Sequence, residues 1–266
     1  MNYRKMCFFD IDGTLITEDE RQILPESTVT AIRRAREHGN LMFVNTGRTF
    51  FNVIPQIRNI GFDGYVCGCG TYIFYDGKPI LEQHLSIKHC KEIVAMLRKT
   101  QVPAMLEGTE RLYFDYDTEL PQSPVISVMQ KRYGVTEKNL LWSWDNPDIV
   151  FDKLVVWQQN AGDFKTFYDY IIRSFDYIDR GNGFGEIVPK GFSKASGIRF
   201  LQDYFQIPLK DCYAIGDSTN DLSMLEYVPN GIAMGNSMPE LFSKVSFVTK
   251  DILDDGIAYA LNHFHF

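Results

Sequence analysis

Met6-Cys7-Phe8-Phe9-Asp10-Ile11-Asp12-Gly13-Thr14-Leu15 sets four apolar residues in front of an Asp-Ile-Asp-Gly turn. An apolar run closed by a carboxylate reads as a buried strand feeding a polar loop. The rhythm repeats outward from it. A helix is predicted over 26–38, after Pro25 and stopped by Gly39, with Val29, Ile32 and Ala35 at helical spacing. A second buried strand over 41–44 ends at Asn45-Thr46-Gly47-Arg48, and a helix is predicted over 49–59. Near the C-terminus the pattern returns. A helix over 193–205 has Ser193 as N-cap. A strand over 212–215 ends at Gly216-Asp217, and a helix is predicted over 220–227. Strands over 231–234 and 245–248 and a closing helix over 251–263 follow. Strand-helix alternation of this kind predicts a parallel sheet with right-handed crossovers. Between about 81 and 187 successive strands pair off without a helix between each. That stretch, which includes a helix predicted over 164–175, reads as an inserted α+β piece.

Composition narrows the function classes. The chain has 266 residues, 45 % hydrophobic and 23 % charged, an ordinary globular balance. Its 20 Gly and 11 Pro exclude a collagen-like or disordered chain. Five Cys in this length exclude a disulfide scaffold, and Cys7, Cys67, Cys69, Cys90 and Cys212 read as buried, reduced thiols. Cys67 and Cys69 lack the second ligand pair of a zinc site. The five His are scattered without metal-ligand spacing. With 27 basic and 34 acidic residues, the net charge of −7 argues against a nucleic-acid binder and leaves a small anionic substrate open. No segment resembles a secretory leader, and no run approaches the roughly 20 apolar residues of a membrane span. The expectation is a cytoplasmic protein with neither membrane nor nucleic acid as partner.

In open parallel sheets, ligands sit beyond the carboxyl ends of the strands. Three strand-end loops therefore matter: Asp10 to Leu15, Asn45 to Arg48, and Gly216-Asp217-Ser218-Thr219-Asn220-Asp221. Convergence at one sheet edge gathers Asp10, Asp12, Asp217 and Asp221. Carboxylates that close repel one another and call for a cation, and an all-oxygen donor set points to Mg2+. Loop aspartates are commonly plain caps and turn formers. Three such loops, each after an apolar strand, outweigh that reading.

Asp10-Ile11-Asp12-Gly13-Thr14-Leu15-Ile16, Val44-Asn45-Thr46-Gly47-Arg48, the helix start Phe192-Ser193-Lys194-Ala195-Ser196, and Ile215-Gly216-Asp217-Ser218-Thr219-Asn220-Asp221 followed by Ile232-Ala233-Met234-Gly235-Asn236 resemble the ordered motifs of the haloacid dehalogenase-like (HAD) hydrolase superfamily. The resemblance is nearest to the Cof-type subfamily IIB phosphatases. It implies an α/β fold: a Rossmann-like parallel-sheet core with an inserted α+β type-IIB cap. The expected division is core over 1–82, cap over 83–186 and core over 187–266. By the same resemblance Asp10 is the nucleophile, forming an aspartyl-phosphate, and Asp12 the general acid/base. Thr46, Gly47, Lys194 and Asn220 bind phosphate, with Lys190 a rival to Lys194. Asp10, Asp12 (through its backbone carbonyl), Asp217 and Asp221 hold Mg2+, Asp221 through water or by positioning Asn220. Cys67-Gly68-Cys69-Gly70 stands where relatives usually carry Asn-Gly-Ala.

Spacing places the insertion. Asp12 and Thr46 are only 34 positions apart, but Thr46 and Lys194 are 148 apart, and the core needs about 40 to 50 of the latter stretch. Its aromatics Tyr113, Phe114, Tyr116, Trp142, Trp144, Trp157 and Tyr168 read mainly as core. The expected function is a Mg2+-dependent phosphatase of small phosphorylated metabolites, foremost sugar phosphates, releasing inorganic phosphate. Two alternatives are a sugar phosphomutase, marked by a strict need for a bisphosphate activator, and a non-catalytic phosphosugar- or nucleotide-sensing module, marked by binding without turnover.

Overall fold

The structure, a computed structural model, describes residues 4–116, 124–136, 138–158 and 162–266. The chain divides into two compact units, Met1–Glu82 with Phe192–Phe266, and Gln83–Gly191. The expected boundary at 186/187 falls inside a strand, Phe184–Pro189.

In chain order the first unit begins with β1 (Met6–Phe9), α1 (Glu26–Glu37), β2 (Leu41–Asn45), α2 (Pro55–Arg58), β3 (Gly64–Cys67), β4 (Tyr72–Tyr75) and β5 (Lys78–Glu82). The second unit holds α3 (Ile87–Thr100), β6 (Ala104–Glu107), β7 (Leu112–Tyr113), α4 (Pro124–Arg132), β8 (Lys153–Trp157), α5 (Phe164–Ile171), β9 (Phe175–Asp179) and β10 (Phe184–Pro189). The first unit then resumes with α6 (Lys194–Phe205), β11 (Cys212–Gly216), α7 (Leu222–Tyr227), β12 (Asn230–Ala233), β13 (Phe247–Val248) and α8 (Gly256–His263).

The sheet of the first unit runs β13-β12-β11-β1-β2-β3-β4-β5. From β13 to β3 every pairing is parallel. Alternation along β1 explains the layers. Cys7 and Phe9 face a core built with α1 and α8, whereas Met6 and Phe8 face one built with α6 and α7. Strands buried on both faces have to be apolar throughout, as the sequence of β1 and β2 is. The register sets up the site. Phe9 pairs with Val44 on one side and with Ile215 on the other, so the loops after β1, β2 and β11 leave the sheet side by side. The order of strands reverses at β1, the kind of point where open sheets bind ligands.

Several sequence expectations need correction. The helix predicted over 49–59 is a short 3-10 turn, Phe50–Asn52, followed by α2. Pro55 pushes the residue before it into extended backbone, and Ile54 sits at ψ 152°. The closing helix is interrupted at Asp255, whose φ is +62°, and the helix predicted over 220–227 begins as a 3-10 turn, Thr219–Asp221. The helix over 164–175 stops at Ile171, because Phe175 opens β9. The core sheet is also wider than a purely parallel one, since β4 and β5 add an antiparallel hairpin. Its turn, Asp76-Gly77, has φ of +50° and +76°, the two positive values that a twisted two-residue hairpin requires.

The second unit is a five-stranded sheet, β7-β6-β8-β10-β9, with every pairing antiparallel. Leu106, Leu154, Val156 and Ile187 pack against Ile93 and Leu97 of α3 and Phe167 and Ile171 of α5. Tyr113, Phe114, Trp144 and Trp157 are buried, while Tyr116, Trp142 and Tyr168 are half-buried. All five cysteines are buried and free. Among the described residues no helix is long and apolar enough to cross a membrane.

Candidate active site

Asp10 follows β1 directly, and its N–H donates to Ile215 O at 3.0 Å, continuing the parallel ladder into the loop. Its carboxyl is therefore placed by the sheet. Lys194 is the first residue of α6. Ser193 caps that helix: its Oγ accepts from Ser196 N–H at 3.1 Å, and Ser196 Oγ accepts from Ser193 N–H at 2.9 Å. The reciprocal pair fixes where the helix starts and which way Lys194 points. Asn45 Nδ2 donates to Lys194 O at 2.9 Å and ties that start to the end of β2.

Lys194 Nζ lies 2.5 Å from Asp10 Oδ1 and also donates to Asp221 Oδ1. Lys190 is exposed. Burial works against the ammonium, yet Asp10 and Asp221 outweigh it and hold Lys194 above its ordinary value. Asp217, at the end of β11, accepts a hydrogen bond from Thr14 Oγ1 at 3.1 Å. Asp221 spends its second oxygen on the loop itself, accepting from the N–H groups of Asp217 at 2.9 Å and Ser218 at 3.1 Å. That oxygen is organised by backbone donors, and the other is taken by Lys194.

Two glycines make the close approach possible. A Cβ on Gly13, whose φ is +76°, would lie 2.3 Å from Asp217 Oδ2. A Cβ on Gly216 would lie 2.5 Å from Asp221 Cγ. The chain is thus shaped to let carboxyl groups crowd against backbone.

The crowding has an electrostatic consequence. Burial, then Asp221, push the Asp10 carboxyl up to about 7 against the pull of Lys194. Burial, then Asp10 and Asp221, push Asp217 up to about 8. Three buried carboxyls share one ammonium, and the deficit is held by protons unless a cation supplies the charge. Asp10, Asp217 and Asp221 each offer an oxygen within 4.8 Å of the others. Buried oxygen donors with unneutralised negative charge suit a hard divalent ion such as Mg2+.

The other residues singled out from the sequence are placed as follows. The Asp12 carboxylate lies outside that group and pairs instead with Arg48. Thr46 is buried, its N–H donates to Val66 O at 2.9 Å, and its Oγ1 accepts from Arg48 N–H at 3.1 Å. Those two N–H groups are committed within the protein, which leaves the Thr46 hydroxyl hydrogen as the donor it can turn toward a phosphoryl oxygen. Gly47 lies between them. Asn220 accepts from Ser218 Oγ through its side-chain oxygen. Sequence reasoning assigned nothing to three residues that shape the loops. Thr14 holds Asp217. Asn236 donates to Gly13 O at 2.8 Å and accepts from Ile252 N–H at 3.0 Å, clamping the first loop. Arg48 holds Asp12. Their signal was position, since all three stand inside the quoted strand-end motifs.

The sequence profile of the haloacid dehalogenase-like hydrolases matches residues 7–261. A relative from Bacillus subtilis (strain 168), "Putative phosphatase YkrA", is 28 % identical over 257 residues, covering 97 % of this chain and 96 % of its own. A second protein of that strain, 5-amino-6-(5-phospho-D-ribitylamino)uracil phosphatase YwtE, is 25 % identical over 280 residues, covering 97 % of each chain. The solved structure of the HAD subclass IIB sugar phosphatase BT4131 superposes with a TM-score of 0.78 at 25 % identity, covering 98 % of this chain and 99 % of that one.

Proposed function

This chain belongs to the haloacid dehalogenase-like hydrolases, as a Cof-type, subclass IIB phosphatase of phosphomonoesters, and from that membership we propose a Mg2+-dependent enzyme that hydrolyses small phosphorylated metabolites, foremost sugar phosphates, through an aspartyl-phosphate on Asp10. The observation that carries the reading is the buried set of Asp10, Asp217 and Asp221 around the single ammonium of Lys194. The family likeness to a sugar phosphatase supports the substrate class.

In this reading Asp10 attacks phosphorus with the oxygen that Lys194 leaves open, and the phosphoryl group passes to the carboxylate. A nucleophilic carboxylate has to be ionised. Lys194 favours that form, against burial. Thr46 orients the phosphoryl oxygens through its hydroxyl, and Gly47 and Asn220 add further phosphate contacts. Asp12 gives a proton to the leaving alkoxide and then takes one from the water that cleaves the aspartyl-phosphate. Inorganic phosphate leaves. Asp10, Asp217 and the carbonyl of Asp12 would hold Mg2+, with Asp221 acting through water and by fixing the loop. The ion, when bound, supplies positive charge for the carboxylates and the phosphoryl oxygens. Phosphoryl transfer depends chiefly on such positioning and charge. The unit Gln83–Gly191 is taken as the inserted cap of the subclass.

Phosphate release from a panel of phosphate esters tests the proposal. It is expected to require Mg2+ and to vanish in Asp10→Ala, and undiminished turnover by that variant overturns it.

A further inference from the structure

Arg48 joins two of the three strand-end loops. Its guanidinium donates from Nε to Asp12 Oδ2 at 2.9 Å and from Nη2 to Asp12 Oδ1 at 2.5 Å. A planar fork on a planar carboxylate fixes the plane of the acid as well as its position. Arg48 is itself held at three further points. Nη1 donates to Asn52 O at 3.2 Å, its N–H donates to Thr46 Oγ1 at 3.1 Å, and its carbonyl accepts from Gly68 N–H at 2.8 Å. The Asp12 side chain is 38 % exposed, and ion pairs at such exposure contribute little to stability. An anchored fork is more than a surface pair requires. It does one further thing: it sets Asp12 in register with Thr46 through a single side chain. Each carboxylate oxygen has two lone pairs, so the fork occupies one on each and leaves the other for a proton.

We propose that Arg48 is a positioning residue of the phosphatase reaction, holding the Asp12 carboxyl at a fixed place and plane relative to the phosphate-binding Thr46. The inference rests on the reading of Asp12 as general acid/base. Its consequence depends on the leaving group. An aryloxide departs without help, but a sugar alkoxide needs the proton from Asp12, so a misplaced Asp12 harms the second reaction most.

The test compares kcat/KM, which reports the step in which the leaving group departs and not the shared hydrolysis of the aspartyl-phosphate, on p-nitrophenyl phosphate and on glucose 6-phosphate. Arg48→Ala is expected to lose about 10- to 100-fold on the sugar phosphate and several-fold less on the aryl phosphate. Asp12→Asn is expected to show the same bias more strongly, and the double variant is expected to be no worse than Asp12→Asn alone. Guanidinium ion added to Arg48→Ala is expected to restore part of the sugar-phosphate rate. Arg48→Lys keeps the charge without the fork and is expected to keep a weaker form of the bias. Equal losses on both substrates, unchanged or raised rates, or additive losses in the double variant overturn the role of Arg48 while Asp12→Asn still shows its bias. Absence of bias in Asp12→Asn itself overturns the reading of Asp12, and the role of Arg48 with it.

Discussion

Two lysines in this protein, one in each unit, are buried to the same degree, 2 % exposed, and both sit among acids. Lys153 lies 2.6 Å from Glu107 and also pairs with Glu186, which Arg180 reaches at 3.4 Å. Two carboxylates there meet two cations. Lys194 serves Asp10 and Asp221 with Asp217 beside them, three carboxyls for one cation. The first cluster is complete as folded. The second carries a charge deficit, which shows in Asp10 and Asp217 being pushed up to about 7 and about 8. Burial of charge is common to both, so burial alone does not mark a reactive site. Imbalance does, because protons or a metal ion have to make up the difference.

Replacing each lysine separates the two cases most sharply. Lys194→Met is expected to cut kcat about a thousandfold or more, since the charge that faces the phosphoryl group is gone. Its stability is expected to fall less than that of the Lys153 variant, because Asp10 is already pushed up to about 7 and takes a proton at little cost, while Asp221 keeps its two backbone donors. Lys153→Met strands the buried Glu107 and leaves Glu186 with Arg180 at 3.4 Å, and is expected to cost about 3–5 kcal/mol in urea unfolding. A Lys194 variant that unfolds with kcat per folded molecule intact would erase the distinction.

The deficit also predicts a pH dependence. Asp10 and Asp217 have folded values above their ordinary 3.8. The folded chain therefore keeps protons that the unfolded chain has released, and stability falls as pH rises. The full contribution is present below about pH 4 and is lost by about pH 8. Lys194, held above its ordinary value, stays charged throughout this window. Thermal midpoints of metal-stripped protein are expected to decline from pH 5 to pH 8, Mg2+ to reverse the decline, and Asp217→Asn to flatten it. A flat wild-type profile in chelator would remove the deficit from the account.

Glycine replacement gives a smaller contrast. Gly216→Ala drives a methyl to 2.5 Å from Asp221 Cγ inside a loop fixed by backbone donors, and is expected to cost about 1–3 kcal/mol and to weaken Mg2+ binding. Gly185→Ala meets the half-buried Tyr177 ring, which is held by the rings of Phe164 and Tyr168 and by Gln158 rather than by backbone donors, and is expected to cost less. The smallest effect should be the same in both units. Gln101 and Gln206 end α3 and α6 in left-handed backbone, at φ +53° and +55°. Glycine at either is expected to add about 0.5 kcal/mol.

The site was legible because its residues end buried apolar strands. Asp10, Asn45 and Gly216 each stop such a run, and the parallel register then carries them to one edge. The hairpin of β4 and β5 escaped notice for the opposite reason. Lys78–Glu82 is a partly exposed edge strand with a charge at each end, and Tyr72–Tyr75 is an apolar run of only four residues, so the Asp76-Gly77 turn between them is their clearest signal. Pro55 explains why the helix at 49–59 failed, and its signal was in plain view. The pairing of Arg48 with Asp12 was not readable, since side-chain partners 36 positions apart are set by the fold and not by spacing. The same holds for the balance of charge around Lys153 and its absence around Lys194.

Calorimetric titration of metal-stripped protein with MgCl2 at pH 7, in buffers of different ionisation enthalpy, tests the charge deficit most directly. The account predicts one Mg2+ per chain, bound with release of protons from the acid cluster and lost in Asp217→Asn. Binding without proton release, or phosphate release that continues undiminished in chelator, would contradict it.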